Sequence, residues 1–114
     1  MTEILNDLAG NAPSLLEALG ALSNPHRLRI IASLHTGGRK YVSQLARELG
    51  ISRPLLHLHL AKLEQAGLVA SEFEISADGK ALKFLEATDF AITLTPETIA
   101  ADANSLPTPS TQSA

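Results

Sequence analysis

The 114-residue sequence contains no cysteine. This absence excludes disulfide bonds, a thiolate metal site and a cysteine nucleophile, and it leaves the redox compartment undetermined. No apolar segment approaches the roughly 18 residues that a membrane-spanning helix needs. The first residues, MTEILNDLAGNAP, lack the basic stretch and apolar run of a secretory signal. We therefore expect a soluble, cytoplasmic protein without a membrane partner.

The sequence also lacks the motifs of several enzyme classes. No glycine-rich phosphate loop follows a predicted strand, and no serine stands in the context of a nucleophile elbow. The acidic residues are scattered over predicted surfaces, and so short a chain has little room for a cleft beside its core. We expect neither an enzyme nor a bound cofactor.

The formal net charge of −3 is distributed unevenly. The segment from His26 to Lys62 contains seven basic residues and one acidic residue, a balance of +6, so the remainder of the chain carries −9. Such asymmetry can place a basic face on an acidic protein, and the local field governs how a charged partner is steered. Chance clustering of basic residues on a solvated surface is the alternative interpretation.

The chain has room for one domain, and 45% of its residues are hydrophobic, enough for a compact core. We predict an N-terminal extension or short helix at 1–12, the folded domain at 13–103, and a disordered tail at 104–114, which is rich in proline, serine and threonine. Within the domain, alternation at 90–94 suggests an extended segment, and Pro96 begins a short helix that ends at about residue 103.

Two helices are predicted before the glycine pair at 37–38. Leucines at helical spacing follow Pro13 in the first helix. Asn24 caps the second helix and Pro25 is its first residue; His26 and Arg27 at its start are candidates for capping or for phosphate contact. The side chains of the second helix expected in the core are Leu28, Ile31, Ala32 and Leu34 or His35.

A tight turn, Gly50-Ile51-Ser52, joins the next two predicted helices. Ser43 is expected to cap the first of these helices, after a short extended segment at 41–42, and Gly50 to end it in the left-handed conformation. Ser52 caps the second helix, and Pro54 falls in its first turn, where a missing N–H costs little. A short helix, a tight turn and a second helix constitute a helix-turn-helix, although an ordinary helical hairpin in a core is the alternative.

The faces of the two helices follow from their apolar spacing. The residues expected to pack together are Leu45, Ala46 and Leu49 with Ile51, Leu56, Leu60 and Leu63. The residues left outward on the second helix are Arg53, Leu55, His57, Leu58, Ala61 and Lys62. A helix with one buried and one free face fits the major groove of DNA.

The hydrophobic period changes after Gly67. Residues 68–75 are strand-like, SADG at 76–79 is a turn, and residues 80–85 return as the second strand of a hairpin. This hairpin is a wing, and Lys80 and Lys83 beside its turn are placed to contact phosphates; a solubilising turn is the alternative. The predicted fold is mainly α with a small β-hairpin (α+β), a winged helix-turn-helix.

Three segments carry a resemblance to a known family. SNPHRLRIIASL, VSQLARELGISRPLLHLHLAKLEQAGLVASE and DGKALKFLE, in this order and spacing, resemble the ArsR-type winged helix-turn-helix transcriptional regulators from about Leu19 to Leu94. The resemblance implies a homodimer formed by the first and last helices, binding to near-palindromic operator DNA, and usually repression. By matching position, the residues that face the groove are Ser52, Arg53, Leu55, His57, Leu58 and Lys62.

The sequence departs from metal-sensing members of that family. Those members carry cysteines on the helix matching Ser43–Leu49, or histidine and acidic ligands on the last helix. This chain has no cysteine and no histidine after His59. His57 and His59 point about 200° apart on a helix and cannot share one ion. We therefore expect a non-metal-sensing member without a metal site.

The sequence thus predicts a sequence-specific regulator that binds double-stranded DNA as a dimeric repressor, with the recognition helix 53–65 in the major groove and the wing 70–87 on the flanking backbone. The predicted DNA contacts are Arg39, Lys40, Ser43, Gln44, Ser52, Arg53, Leu55, His57, Leu58, Lys62, Lys80 and Lys83. The predicted dimer contacts are Leu15, Leu16, Leu19, Leu22 and Ile99.

Two further classes of function stay open. Leu55 and Leu58 stand where polar base-reading residues are usual, and together with the net acidity they suggest a winged-helix protein–protein adaptor without operator binding. Apolar contact with thymine methyl groups, or readout of DNA shape, is the other explanation of these leucines. A regulator that senses a small-molecule effector between its terminal helices and its core is compatible with DNA binding.

Overall fold

The computed structural model describes residues 14–107, so the predicted extension at 1–12 and the part of the predicted tail at 108–114 lie outside the described residues. The elements in chain order are α1 (Leu15–Leu22), α2 (Pro25–Gly37), β1 (Lys40–Tyr41), α3 (Val42–Leu49), α4 (Arg53–Gln65), β2 (Val69–Ile75), β3 (Ala81–Ala87), α5 (Pro96–Ala101) and a 3₁₀ turn at Ala103–Ser105. This is the predicted winged helix-turn-helix fold. No helix between residues 14 and 107 is long and apolar enough to cross a membrane.

Side-chain caps define the starts of the first two helices. The Asn24 side chain accepts hydrogen bonds from the backbone N–H groups of His26 (2.8 Å) and Arg27 (3.3 Å), which confirms the predicted cap of α2. At α1, Ser14 accepts from the N–H of Glu17 (3.1 Å), and Glu17 accepts from the N–H of Ser14 (3.4 Å). This capping box is visible in the sequence as S-x-x-E and fixes the helix start that the spacing after Pro13 indicated.

The buried face of α2 differs from the predicted one. Ile30 and Leu34, one turn apart, are buried, whereas Leu28 is 54% exposed and Ala32 is also exposed. The sequence offers two overlapping apolar stripes on this helix, and the contacts of α2 with α1, α4 and β3 select the stripe that contains Ile30. The assignment of Leu28 and Ala32 to the core was wrong, while Ile31 packs partly against the core.

The sheet has three antiparallel strands in the order β1-β3-β2. The predicted hairpin is β2–β3, with Phe73 opposite Lys83, and β1 adds a third strand through Tyr41 opposite Phe84. The chain passes directly from this pairing into α3. Tyr41 therefore occupies the N-cap position without a side-chain cap bond, and Ser43, predicted to be the cap, lies inside the helix.

The core lies where α2, α3 and α4 meet the sheet. Its most deeply buried side chains are Ile30, Leu45, Leu56, Leu60, Leu63, Leu68 and Leu85. The packing of α3 on α4 is as predicted, and Leu49 and Ile51 pack partly against the same cluster. Residues 88–94 form no strand, although the alternation at 90–94 suggested an extended segment. Phe90 nevertheless packs against the core.

Candidate DNA-binding surface

The turn between α3 and α4 fixes the start of the second helix. Gly50 adopts φ 69° and ψ 32°, a left-handed conformation that glycine adopts without strain. The N–H of Ile51 then reaches back to the carbonyl of Ala46 (3.1 Å). Ser52 accepts a hydrogen bond from the N–H of Leu55 (3.2 Å) and caps α4 as predicted. These bonds fix the orientation of α4 relative to α3.

Helix α4 has one buried and one free face. The buried side chains are Leu56, His59, Leu60 and Leu63. The predicted groove-facing side chains are all exposed: Ser52, Arg53, Leu55, His57, Leu58 and Lys62. Leu58 is 68% exposed and is the most prominent apolar group on the helix. This solvent-facing surface is free to enter the major groove of DNA, which is wide enough to admit an α-helix.

A groove of about 340 Å³ separates the start of α4 from the wing. Its lining residues are Tyr41, Val42, Ser43, Arg53, Lys80, Ala81, Leu82 and Lys83. The fold thus brings together four predicted DNA contacts that are distant in sequence. Three of them are cations beside the N-terminus of α4, where the helix dipole also favours a negative charge. The Lys83 ammonium lies 3.5 Å from a carboxylate oxygen of Glu64, so part of its charge is offset.

Two other predicted DNA contacts, Arg39 and Lys40, form ion pairs within the protein. The Arg39 guanidinium lies 4.2 Å from the centre of the Phe84 ring and pairs with Glu72 and Glu74 of β2. The hydrogen bond with Glu74 raises the pKa of Arg39 above its ordinary value. These contacts direct Arg39 towards the acidic outer face of the wing.

Lys40 is only 8% exposed. Its ammonium lies 3.2 Å from the carboxylate of Glu48, which also accepts a hydrogen bond from the Ser33 hydroxyl (2.8 Å). The Ser33 hydrogen bond and then Lys40 lower the pKa of Glu48. Lys40 therefore stabilises the junction of β1 and α3 instead of contributing an exposed charge, and Gln44 nearby is half-buried. The charge balance of +6 between His26 and Lys62 therefore overstates the positive charge on the surface.

A relative of known class identifies the family. An uncharacterized HTH-type transcriptional regulator of Methanocaldococcus jannaschii is 40% identical to this chain over 70 residues, which are 61% of this chain and 72% of the relative. The chain belongs to the HTH-type transcriptional regulators. The family model of a helix-turn-helix domain matches residues 22–72, from the end of α1 to the first half of β2.

Solved regulators share the fold of this regulator. The transcriptional regulator homologue of Pyrococcus horikoshii OT3 superposes with a TM-score of 0.58 at 28% identity, covering 80% of this chain and 87% of that chain. An ArsR family transcriptional regulator superposes with a TM-score of 0.53 at 22% identity, covering 80% and 88%; this second likeness concerns the fold alone. The regulator thus has an ArsR-like fold, and DNA binding in transcription regulation is the function of its family.

The predicted dimer contacts of this regulator fall into two groups. Leu15 is buried in its own chain, and Leu19 and Leu22 are half-buried. Leu16 is 50% exposed, and Ile99 of α5 is exposed as well. Further large apolar side chains on the surface of the described part were not among the predicted contacts: Leu28, Tyr41, Phe73, Ile75, Leu94 and Leu106.

Sequence reasoning missed one contact of the regulator entirely. Arg27, considered for phosphate contact, instead donates to the His59 ring on α4 and to two backbone carbonyls of α1. Its position three residues after the Asn24 cap was a signal, because a cation at the N-terminus of a helix opposes the helix dipole and needs another partner. That partner is brought close only by the packing of α2 on α4.

Proposed function

We propose that this regulator binds double-stranded operator DNA as a homodimer and acts as a repressor, with α4 in the major groove and the wing 70–87 against the flanking backbone. The observation that carries this proposal is the groove between α4 and the wing. Ser43, Arg53, Lys80 and Lys83 surround it from three different parts of the chain. Phosphate contacts of this kind fix the position of a protein on the duplex.

The exposed face of α4 supplies the base contacts in this proposal. His57, Leu58 and Ala61 point away from the core, and a helix held by its neighbours can present them to base edges. Leu58 suits a thymine methyl group, because apolar contact is how that group is recognised. Sequence preference at such a site then depends on A·T pairs and on DNA shape.

Dimerisation in this proposal uses the apolar surface of the terminal helices. Leu16 of α1, Leu28 of α2 and Ile99 of α5 are large apolar side chains that the described part of the chain leaves exposed. Where such side chains form one contiguous patch, they mark an interaction site. A two-fold dimer presents two α4 helices to half-sites about 34 Å apart, one turn of the duplex.

Salt-dependent binding tests the proposal. Duplexes selected from genomic fragments are titrated by fluorescence anisotropy at several salt concentrations. Three or four phosphate contacts for each protomer, six to eight for the dimer, predict a slope of about −5 to −7 for log K against log salt. The absence of salt-sensitive binding to any duplex at low salt would contradict the proposal.

The signal in this proposal is a small molecule instead of a metal ion. A cavity of about 380 Å³ between α1, α2 and α4 has a lining of mixed charge: Glu17, Gly20, Ala21, Arg27, Lys62, Gln65 and Ala66. Such a lining suits a small polar effector, and Lys62 belongs to the recognition helix. Among residues 14–107 no three histidine, aspartate or glutamate side chains are grouped to hold a metal.

A protein–protein adaptor is the second candidate, and exposed apolar side chains favour it. Leu58 on α4 and Phe73 and Ile75 on the wing are among the most exposed large apolar residues. An adaptor would capture a defined protein partner through Leu55 and Leu58 and retain no DNA. Substitution of Leu58 by serine would then abolish partner capture, whereas it would alter only base preference in a DNA-binding regulator.

A further inference from the structure

Arg27 joins three helices. Its Nε donates to Nδ1 of His59 on α4 (3.1 Å), and its Nη1 lies 3.4 Å from the backbone carbonyl oxygens of Gly20 and Ala21. These carbonyls belong to the last turn of α1, which has no basic residue of its own, and the Gly20 carbonyl also accepts from the N–H of Ser23 (3.3 Å). Arg27 therefore ties the end of α1 to the middle of the recognition helix.

His59 accepts this bond on the buried face of α4 and is only 8% exposed. A guanidinium only donates, so Nδ1 must carry a lone pair and the neutral ring must carry its proton on Nε2. Nε2 is buried without a hydrogen-bond partner in the described part of the chain. The ring also packs against His26, with centroids 5.1 Å apart.

A second proton on His59 would disrupt this arrangement. It would occupy Nδ1 and point an N–H at the N–H of Arg27, opposing two donors and two positive charges. Burial, then Arg27, then His26 hold the pKa of His59 below its ordinary value. Within residues 14–107 no ion pair involves His59.

The other charged groups near the junction do not compensate for that proton. From α2, the groups facing the ring are His26 and Arg27, both basic. The only carboxylate of α1 is that of Glu17, which accepts from the backbone of Ser14 and lines the cavity beside Arg27. Lys62 on α4 lines the same cavity and adds a further positive charge.

We propose that Arg27 and His59 are positioning residues for DNA binding, which hold α4 against α1 only while the His59 imidazole is uncharged, so that acidification releases the recognition helix. The inference rests on the proposed function for its DNA readout. Neither residue lies on the exposed face of α4, and both therefore act through the orientation of the helix. Acid weakens binding in this scheme, although added positive charge on a protein surface would by itself strengthen attraction to phosphate.

The binding test compares pH 7.5 with pH 5.5 at constant ionic strength on the selected duplex. The wild-type protein is expected to lose affinity about fivefold or more, the lower end of typical coupling between sites. His59→Asn places an amide oxygen near the position of Nδ1, accepts from Arg27 and does not titrate, so its affinity is expected to match wild type at pH 7.5 and to persist at pH 5.5. Arg27→Gln is expected to bind about fivefold more weakly already at pH 7.5.

His35→Asn is the matched control, because it makes the same substitution at an exposed histidine of α2 that lies outside the proposed DNA-binding surface. It is expected to keep the acid-induced loss. Circular dichroism at pH 5.5 verifies that each protein is folded. Retention of the loss by His59→Asn, or its disappearance in His35→Asn, would overturn the proposal.

Two readouts do not require DNA. Nitrogen NMR of the wild-type imidazoles is expected to show His59 protonated on Nε2 at pH 7.5 and titrating below the ordinary value of about 6.5. Because the folded pKa is lower than the unfolded one, the unfolded state binds more protons between the two values. The His59 contribution to stability is therefore complete above about pH 6.5 and is lost as the pH falls towards the folded pKa.

The urea midpoint of the wild type is accordingly expected to fall more between pH 7.5 and pH 5.5 than that of His59→Asn. An Nδ1-protonated ring or an ordinary titration would overturn the inference even if DNA binds. Absence of binding to any duplex, with the NMR and urea results as expected, would instead refute the proposed function and leave the Arg27–His59 link in place.

Discussion

Cations that look equivalent in the sequence have different surroundings in the fold. Lys40 is buried in an ion pair with Glu48, and Arg27 binds His59, so neither contributes to an exposed basic face. Arg53 and Lys80 line the groove between α4 and the wing. The electrostatic attraction to DNA therefore depends on few residues. Removing one of them is expected to weaken DNA binding more than its share of the total charge would suggest.

Arg53→Ala tests the role of the groove at the scale of one residue. Because Arg53 lies beside Lys80 and Lys83, we expect a phosphate contact, so the substitution weakens binding equally on specific and non-specific duplexes and reduces the salt slope by about 1 for each protomer. Anisotropy titrations on both duplexes measure the loss. The control is Arg29→Ala, which removes an exposed arginine of α2. A loss of about 1–3 kcal/mol confined to the specific duplex would instead make Arg53 a base-reading residue.

At the scale of elements, the turn after α3 determines how the recognition helix is presented. Gly50 supplies a left-handed residue, and Ser52 caps α4 directly after it. The start of α3 shows the opposite case. There the chain enters the helix from β1 without a side-chain cap, and strand pairing between Tyr41 and Phe84 fixes the start instead.

Alanine substitution at two glycines tests whether the turn after α3 requires a residue without a β-carbon. Gly50→Ala is expected to lower the free energy of unfolding by about 1–2 kcal/mol, because a β-carbon strains the left-handed conformation. Gly20→Ala in α1 is the control: its new β-carbon meets no atom within 4 Å, and higher helix propensity is expected to raise stability by about 0.5–1 kcal/mol. Urea unfolding measures both values. Equal effects of the same sign would contradict the conformational argument.

Across the whole molecule, exposed apolar side chains lie on the terminal helices, on α4 and on the wing. Leu16 and Ile99 lie on α1 and α5, whereas Phe73 and Ile75 lie on β2. The proposed dimer uses the first group, since this leaves α4 and the wing free for DNA. An adaptor function would use Leu55 and Leu58 of α4 together with the second group.

Leu16→Asp tests this division. Leu16 is 50% exposed. A carboxylate at this position would lose its hydration in an apolar dimer interface, so dimerisation is expected to weaken at least about tenfold. Sedimentation equilibrium measures the dissociation constant. The control Ile75→Asp changes a residue that is 71% exposed on the wing and is expected to leave the dimer intact. A wild-type protein that stays monomeric at micromolar concentration would refute the dimer.

The order of elements could be predicted from the sequence alone, because caps, turns and apolar periods are local. Asn24, Ser52 and Gly50 predicted the limits of α2, α3 and α4 where a side chain or a left-handed residue sets them. The outward face of α4 also followed from its spacing, since its buried leucines repeat at helical intervals. A winged helix-turn-helix could therefore be predicted without coordinates.

Which face of α2 is buried and which cations remain exposed depends on packing between elements. Leu28 and Ile30 both belong to apolar stripes, and packing against neighbouring elements chose between them. Arg27 meets His59 across 32 positions of sequence, and no local pattern encodes such a contact. Burial and ion pairing depend on what lies opposite a side chain in space, so the groove that carries the proposed function and the link that orients α4 appeared only in the fold.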